Sequence, residues 1–127
     1  MHIEFTFKRR GQSERLRIES SLIYRESTRS PVPKDMKRRV LRSFADSFEG
    51  VSNPMFLFNG LTYGIEGSLD DPTFKREGEP VEVLDRRGEE IEDAQAFLRS
   101  SYDRCLRPVL VEARAAYPTR DPKEIVH

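Results

Sequence analysis

Asn59-Gly60 stands between MFLF and LTYGI, and this dipeptide constrains the fold more than any other stretch of the chain. A two-residue type I′ turn needs positive φ at both central positions, which Asn and Gly tolerate best. Such a turn sets Phe58 opposite Leu61 and Phe56 opposite Tyr63. One face of the hairpin is then aromatic and aliphatic, and it has to be covered.

A second hairpin is expected at the start of the chain, in HIEFTFKRRGQSERLRIESSLIYR. Ile3, Phe5 and Phe7 alternate with Glu4, Thr6 and Lys8, and on the return Leu16, Ile18, Leu22 and Tyr24 share one parity. Two strands are predicted, with a turn near Arg10-Gly11-Gln12. Pairing Phe5 with Leu16 sets Glu4 against Arg17, whereas pairing Phe5 with Ile18 would oppose Glu4 to Glu19. Like charges destabilise a ladder, so the first register is favoured.

ESTRSPVPKD reads as a connector because of its two prolines and small polar residues. KDMKRRVLRSFADSF follows. At 100° per residue Met36, Val40, Leu41, Phe44 and Phe48 share an arc of about 140°, which predicts an amphipathic helix over 34–48 that stops at Gly50. Beyond the Asn-Gly hairpin, GSLDDPTFKREGEP reads as loop, and VEVLDRRG as a fifth strand ending in a turn at Gly88. From 89 to 117 apolar residues step by three and four, the mark of one long helix. Its broad stripe suits packing on a sheet. Pro108 lies inside it and is expected to kink or split it.

These elements amount to one α+β domain over 1–117 and a polar tail over 118–127. The sheet is expected to be mostly antiparallel, with four or five strands, and to carry both helices on one face. No internal repeat is visible. Leu, Ile, Val and Phe make up 32 of 127 residues, about a quarter, where disordered chains fall below ~20%. The chain should fold. Cys105 is the only cysteine, so no disulfide can form within the chain and a cytoplasmic setting is expected. No stretch approaches the ~20 apolar residues of a membrane span.

Both histidines are terminal, His2 and His127. Histidine-based triads and histidine-rich zinc sites are therefore poorly supported, and no cofactor or metal is expected. Cys105 sits in the middle of an apolar helical stripe and reads as a small core residue. EEIED offers four carboxylates, whose place at a helix start is accounted for by the macrodipole. Asp70 and Asp71 read as turn and cap residues. A carboxylate hydrolase would have to use Glu66 with Asp70 or Asp71. Gly60, Gly64 and Gly67 lack the Lys-Ser/Thr ending of a phosphate loop and read as turn and strand glycines.

What remains is charge. Residues 1–44 carry 12 Lys and Arg against 5 Asp and Glu, and residues 45–127 carry 10 against 17, so the two parts are +7 and −7. The candidate contact residues are Arg9, Arg10, Arg15 and Arg17 on the first hairpin, with Lys34, Arg38 and Arg42 on the helix. Asp35 and Asp46 interrupt the basic side of that helix at ion-pair spacing. The first expectation is a small non-catalytic protein that binds a protein partner or itself through a charged surface. The alternative is sequence-independent binding of nucleic acid by the basic part, and the second alternative is the carboxylate hydrolase.

Overall fold

The structure is a computed structural model and describes residues 1–46, 50–76 and 81–118, with the side chains of Arg9 and Asp46 outside the description. The expectations placed on Phe48, on the Asp46 side chain and on residues 119–127 of the tail lie outside the described residues. The strands are β1 (His2–Arg9), β2 (Gln12–Glu19), β3 (Leu22–Arg25), β4 (Val51–Phe58), β5 (Leu61–Gly67) and β6 (Pro72–Lys75). The helices are α1 (Lys34–Asp46), between β3 and β4, and α2 (Ala94–Ala116). All six strands form one sheet in the order β3-β2-β1-β4-β5-β6, and every neighbouring pair is antiparallel. The fold is α+β, with six strands where four or five were expected.

Three tight turns set the registers. Arg10-Gly11, Ser20-Ser21 and Asn59-Gly60 each have positive φ at both central residues, as two-residue hairpin turns require. The first pairs Phe5 with Leu16 and Glu4 with Arg17, the register that opposite charges favour. The third pairs Phe58 with Leu61 and Phe56 with Tyr63. The turn at Ser20-Ser21 departs from expectation, because it splits the predicted return strand in two. Reversal there pairs Ile18 with Ile23 and Glu19 with Leu22. Parity flips accordingly: Ile23 is buried and Leu22 is 48% exposed.

Two further expectations are corrected beyond β5. Pro72–Lys75, read as loop, is a strand that pairs Phe74 with Ile65. Residues 81–88 are not a strand; a single bridge joins Leu84 to Glu90, and the turn at Gly88 is closed by its N–H to the Asp85 carbonyl at 3.1 Å. The long helix also starts later than its periodicity implied. Asp93 caps it, its Oδ1 accepting from the Ala96 N–H at 3.1 Å, so Glu89, Glu90 and Glu92 precede the helix and do not fill its first turn. Pro108 neither splits nor ends α2. It is exposed, so the Arg104 carbonyl that loses a donor there can turn to water.

The core lies between the helices and one face of the sheet. Ile3, Phe5, Leu16, Ile18, Phe56, Tyr63 and Phe74 face Val40, Phe44, Leu98, Tyr102, Leu106 and Val109, all at most 2% exposed. Phe44 of α1 meets Phe5 edge-on at 5.4 Å. Tyr102 of α2 meets Phe56 and Phe74 edge-on at 5.9 and 5.6 Å. Both helices therefore cover the same face, as expected. Lys37 pairs with Glu112 at 3.1 Å, and the Arg42 guanidinium lies 6.0 Å from the centre of the Tyr117 ring. These contacts step by five on each helix, so α1 and α2 run in the same direction. The order of elements, three strands and a helix, occurs twice although no sequence repeat marks it.

Both edges of the sheet are occupied. Beside β3, the Arg25 N–H donates to the Ser30 carbonyl at 2.8 Å and the Val32 N–H to the Ile23 carbonyl at 3.1 Å. Beside β6, the Gln95 side chain bonds both backbone groups of Phe74. Neither edge presents a free row of strand donors and acceptors there.

Candidate protein-binding face

Strand alternation sends every second side chain away from the core, to a sheet face that, among the described residues, no helix covers. His2, Glu4 and Thr6 stand there on β1, Arg15, Arg17 and Glu19 on β2, and Met55 and Leu57 on β4. The registers place Met55 between Glu4 and Gly64, and Leu57 between His2 and Thr62. Met55 and Leu57 are half-buried although neither described helix packs on them. They form an apolar spot in the middle of the sheet.

Charged side chains surround that spot and are paired among themselves. Glu4 accepts from His2 Nε2 at 3.0 Å and lies 3.6 Å from Arg15 Nη2. Arg15 reaches across β1, donating to Thr6 Oγ1 at 3.2 Å and to the Asn53 carbonyl at 3.3 Å. That carbonyl is free to accept because the β1–β4 register shifts between Glu4 and Thr6, at a bulge where Asn53 has φ 49°. Arg17 binds Glu19 at 2.5 Å and Glu26 at 3.5 Å, and its side chain is only 10% exposed. Lys75 binds Glu66 at 2.9 Å. With Lys8 included, this face holds four cations (Lys8, Arg15, Arg17, Lys75) and four carboxylates (Glu4, Glu19, Glu26, Glu66).

Gly64 adds a second observation. Its φ is not positive, and a Cβ built on it would meet nothing nearer than the Lys75 carbonyl at 3.7 Å, an ordinary contact. The backbone has no need of glycine at this point in mid-strand. At this position glycine leaves the sheet surface beside Met55 bare of a side chain.

The predicted basic residues divide between the two sides of the sheet. Arg15 and Arg17 are on the open face, each held by carboxylates. Lys34, Arg38 and Arg42 are exposed on α1, across the sheet from them. Arg10 is exposed at the first turn, and the Arg9 side chain lies outside the described residues. Arg15 and Arg17 therefore do not adjoin Lys34, Arg38 and Arg42. Met55, Leu57 and Gly64 were passed over by sequence reasoning, although the parity that buries Phe56 and Tyr63 already points them the other way.

The carboxylates considered for hydrolysis are each engaged by a cation. Glu66 is paired with Lys75, Asp71 with Arg99 at 2.6 Å, and Asp70 with Arg114 through two contacts of 2.7 and 2.8 Å. Asp70 lines a depression of about 210 Å³ with Asp103, Arg107 and Arg114. A second depression of about 250 Å³ lies between Phe58, Leu61, Tyr63 and Leu84. Burial pushes the Tyr63 hydroxyl upward, and Arg76 partly offsets it. Cys105 is 7% exposed beneath the core face of β2, and burial pushes its thiol up to about 11, the wrong direction for a nucleophile. Among the described residues, no group of three His, Cys, Asp or Glu side chains is placed to hold a metal ion, and no helix is long and apolar enough to cross a membrane.

No protein-family model, no curated protein and no solved structure matches this chain.

Proposed function

We propose that this chain is a non-catalytic protein-interaction module whose uncovered sheet face receives a protein partner. The observation that supports this reading is the layout of that face: Met55 and Leu57 at the centre, a side-chain-free position at Gly64, and a charged rim in which Glu4, Arg15, Arg17, Glu19, Glu26, Glu66 and Lys75 have partners of opposite charge. An apolar centre inside a polar rim is how protein interfaces are built. Because most of the rim charges are paired within the chain, docking has fewer bare ions to dehydrate. The bonds made beside Ile23, Arg25 and Phe74 blunt both edges against strand addition and favour the face for the contact. A photo-crosslinking residue at Met55, and one at Arg38 as a control, test this in extracts of the native host. A discrete adduct from position 55 that disappears with Gly64→Arg is expected. No adduct, or equal adducts from both positions, would overturn the reading.

A second reading is favoured by one observation: Lys34, Arg38 and Arg42 are exposed at four-residue steps along α1. Three cations in a row can follow a phosphate backbone without reading sequence. Titration with a mixed-sequence duplex at two salt concentrations tests it. Affinity that falls steeply with salt and is abolished by Arg38→Glu with Arg42→Glu is the expected result, and a duplex that does not bind at low salt sinks this reading.

A further inference from the structure

We infer that the partner of the uncovered sheet face is a second copy of this chain, packed sheet against sheet about a twofold axis. The inference rests on the interaction reading above and adds the identity of the partner.

Charge balance is the first argument. In a twofold dimer a surface meets itself, so a face with excess charge of one sign repels its own copy. The four cations and four carboxylates on this face sum to zero. A face built for a strongly acidic or basic partner would show an imbalance, and the imbalance in this molecule lies elsewhere: α1 and α2 together carry nine Lys and Arg against four Asp and Glu.

Area is the second. Six strands spaced by ~4.8 Å, with strands of four to eight residues, give a face of roughly 600 Å² per copy at full overlap. Two copies would bury roughly 1,200 Å², the lower end of a specific interface. This predicts a reversible dimer whose population rises with concentration.

Shape is the third. Two sheets pack ~10 Å apart with interleaved side chains. Met55 and Leu57 project from β4, and Gly64 beside Met55 leaves a step that a side chain of the opposite copy can enter. Gly64 would otherwise be a plain loss, since glycine in mid-strand costs conformational entropy and contributes no packing.

Sedimentation velocity and light scattering across a concentration series test the inference on the full chain. The wild type should double in mass with concentration. Gly64→Arg, whose Cβ the monomer accommodates, and Met55→Glu should each weaken the dimer by about tenfold or more, with unchanged far-ultraviolet circular dichroism for both and an unchanged Tm of the dilute monomer for Gly64→Arg; Met55→Glu sets a second carboxylate opposite Glu4 and lowers Tm slightly. Arg38→Glu, on the helical side, should leave it intact. A wild type that stays monomeric to its solubility limit overturns the inference, as does a dimer insensitive to Gly64→Arg and Met55→Glu. In the monomeric case the crosslink from position 55 separates the two readings: an adduct with a different protein removes only the second copy, and no adduct removes the interaction reading as well.

Discussion

The side-chain amide of Gln95 pairs with both backbone polar groups of Phe74: Oε1 accepts the Phe74 N–H at 3.0 Å, and Nε2 donates to the Phe74 carbonyl at 2.8 Å. One side chain in the first turn of α2 thus stands where the next strand of the sheet would. Pro72, two residues earlier on the same edge, has no N–H to offer. With Asp93 capping the helix two residues before Gln95, the start of α2 and the end of the sheet are fixed together.

Replacement of Gln95 by Ala should therefore cost about 1–3 kcal/mol, because Phe74 loses both partners at a partly buried edge. Urea titration would measure the loss, and light scattering near the unfolding midpoint should show faster aggregation from the opened edge. Gln95→Glu should also destabilise, since it removes the donor and sets a carboxylate against the Phe74 carbonyl. Equal midpoints for wild type and both variants would show that the clamp contributes nothing.

Tyr102 is 1% exposed and its hydroxyl is buried without a hydrogen-bond partner. Removing that hydroxyl while keeping the ring against Phe56 and Phe74 should leave stability unchanged or raise it by about 1 kcal/mol. Tyr102→Ala should lose about 3–5 kcal/mol through the cavity. Thermal unfolding of the two variants decides this, and a Tyr102→Phe protein well below wild type would reveal a hydroxyl partner.

Alkaline pH should destabilise the fold. Cys105 moves from 9.0 to about 11 through burial, and Tyr102 is raised far above its ordinary 10.0 by burial and then by Asp103 and Asp70. Above pH 9 the unfolded chain gives up protons that the folded chain keeps, so stability is fully present below 9 and falls as pH rises through 11. The thiol accounts for about 1–3 kcal/mol of that fall. Denaturant titrations from pH 8 to 11 should show a shallower decline for Cys105→Ala, and a flat wild-type profile would contradict the linkage. Thiol reagents should label Cys105 no faster than the chain opens.

Two glycines of β5 should respond oppositely to alanine. Gly67 has φ +90°, and its Cβ would stand 2.9 Å from the Asp71 carbonyl oxygen. Gly67→Ala should cost about 1–3 kcal/mol and loosen the turn into β6. Gly64→Ala should be neutral or slightly stabilising in the monomer, because its Cβ has room and the unfolded chain loses freedom. Calorimetry under dilute conditions compares them, and equal losses would mean that β5 is strained along its length.

Charge reversal should separate the two groups of arginines. Arg17→Glu leaves Glu19 and Glu26 facing a third carboxylate at a site with 10% side-chain exposure, and should cost about 3 kcal/mol or more. Arg38→Glu, on the exposed side of α1, should stay within about 0.5 kcal/mol of wild type. Chemical denaturation of both variants checks this, and an Arg17→Glu protein of normal stability would mean that the open-face ion pairs are loose.

What the sequence determined by itself was whatever neighbours in the chain decide. Turns at Arg10-Gly11 and Asn59-Gly60 carry their own conformational preference, opposite charges at Glu4 and Arg17 select a register, and the stripe from Met36 to Phe44 declares a helix and its buried side. The tertiary structure decided whatever depends on a distant partner. Ser20-Ser21 turns without any glycine because Ile23 gains burial beside Ile18. Pro72–Lys75 is too short and too rich in loop signals to be read as a strand, yet Ile65 supplies its inner partner and Gln95, twenty-one residues from Phe74, its outer one. VEVLDRRG alternates and still joins no sheet: among the described residues Leu84 bridges only Glu90, and the Val83 carbonyl is taken by the Ile91 N–H. The same dependence on distance separates Arg15 and Arg17 from Lys34, Arg38 and Arg42: sequence puts them in one basic half, and the sheet stands between them because both helices have to cover its apolar face.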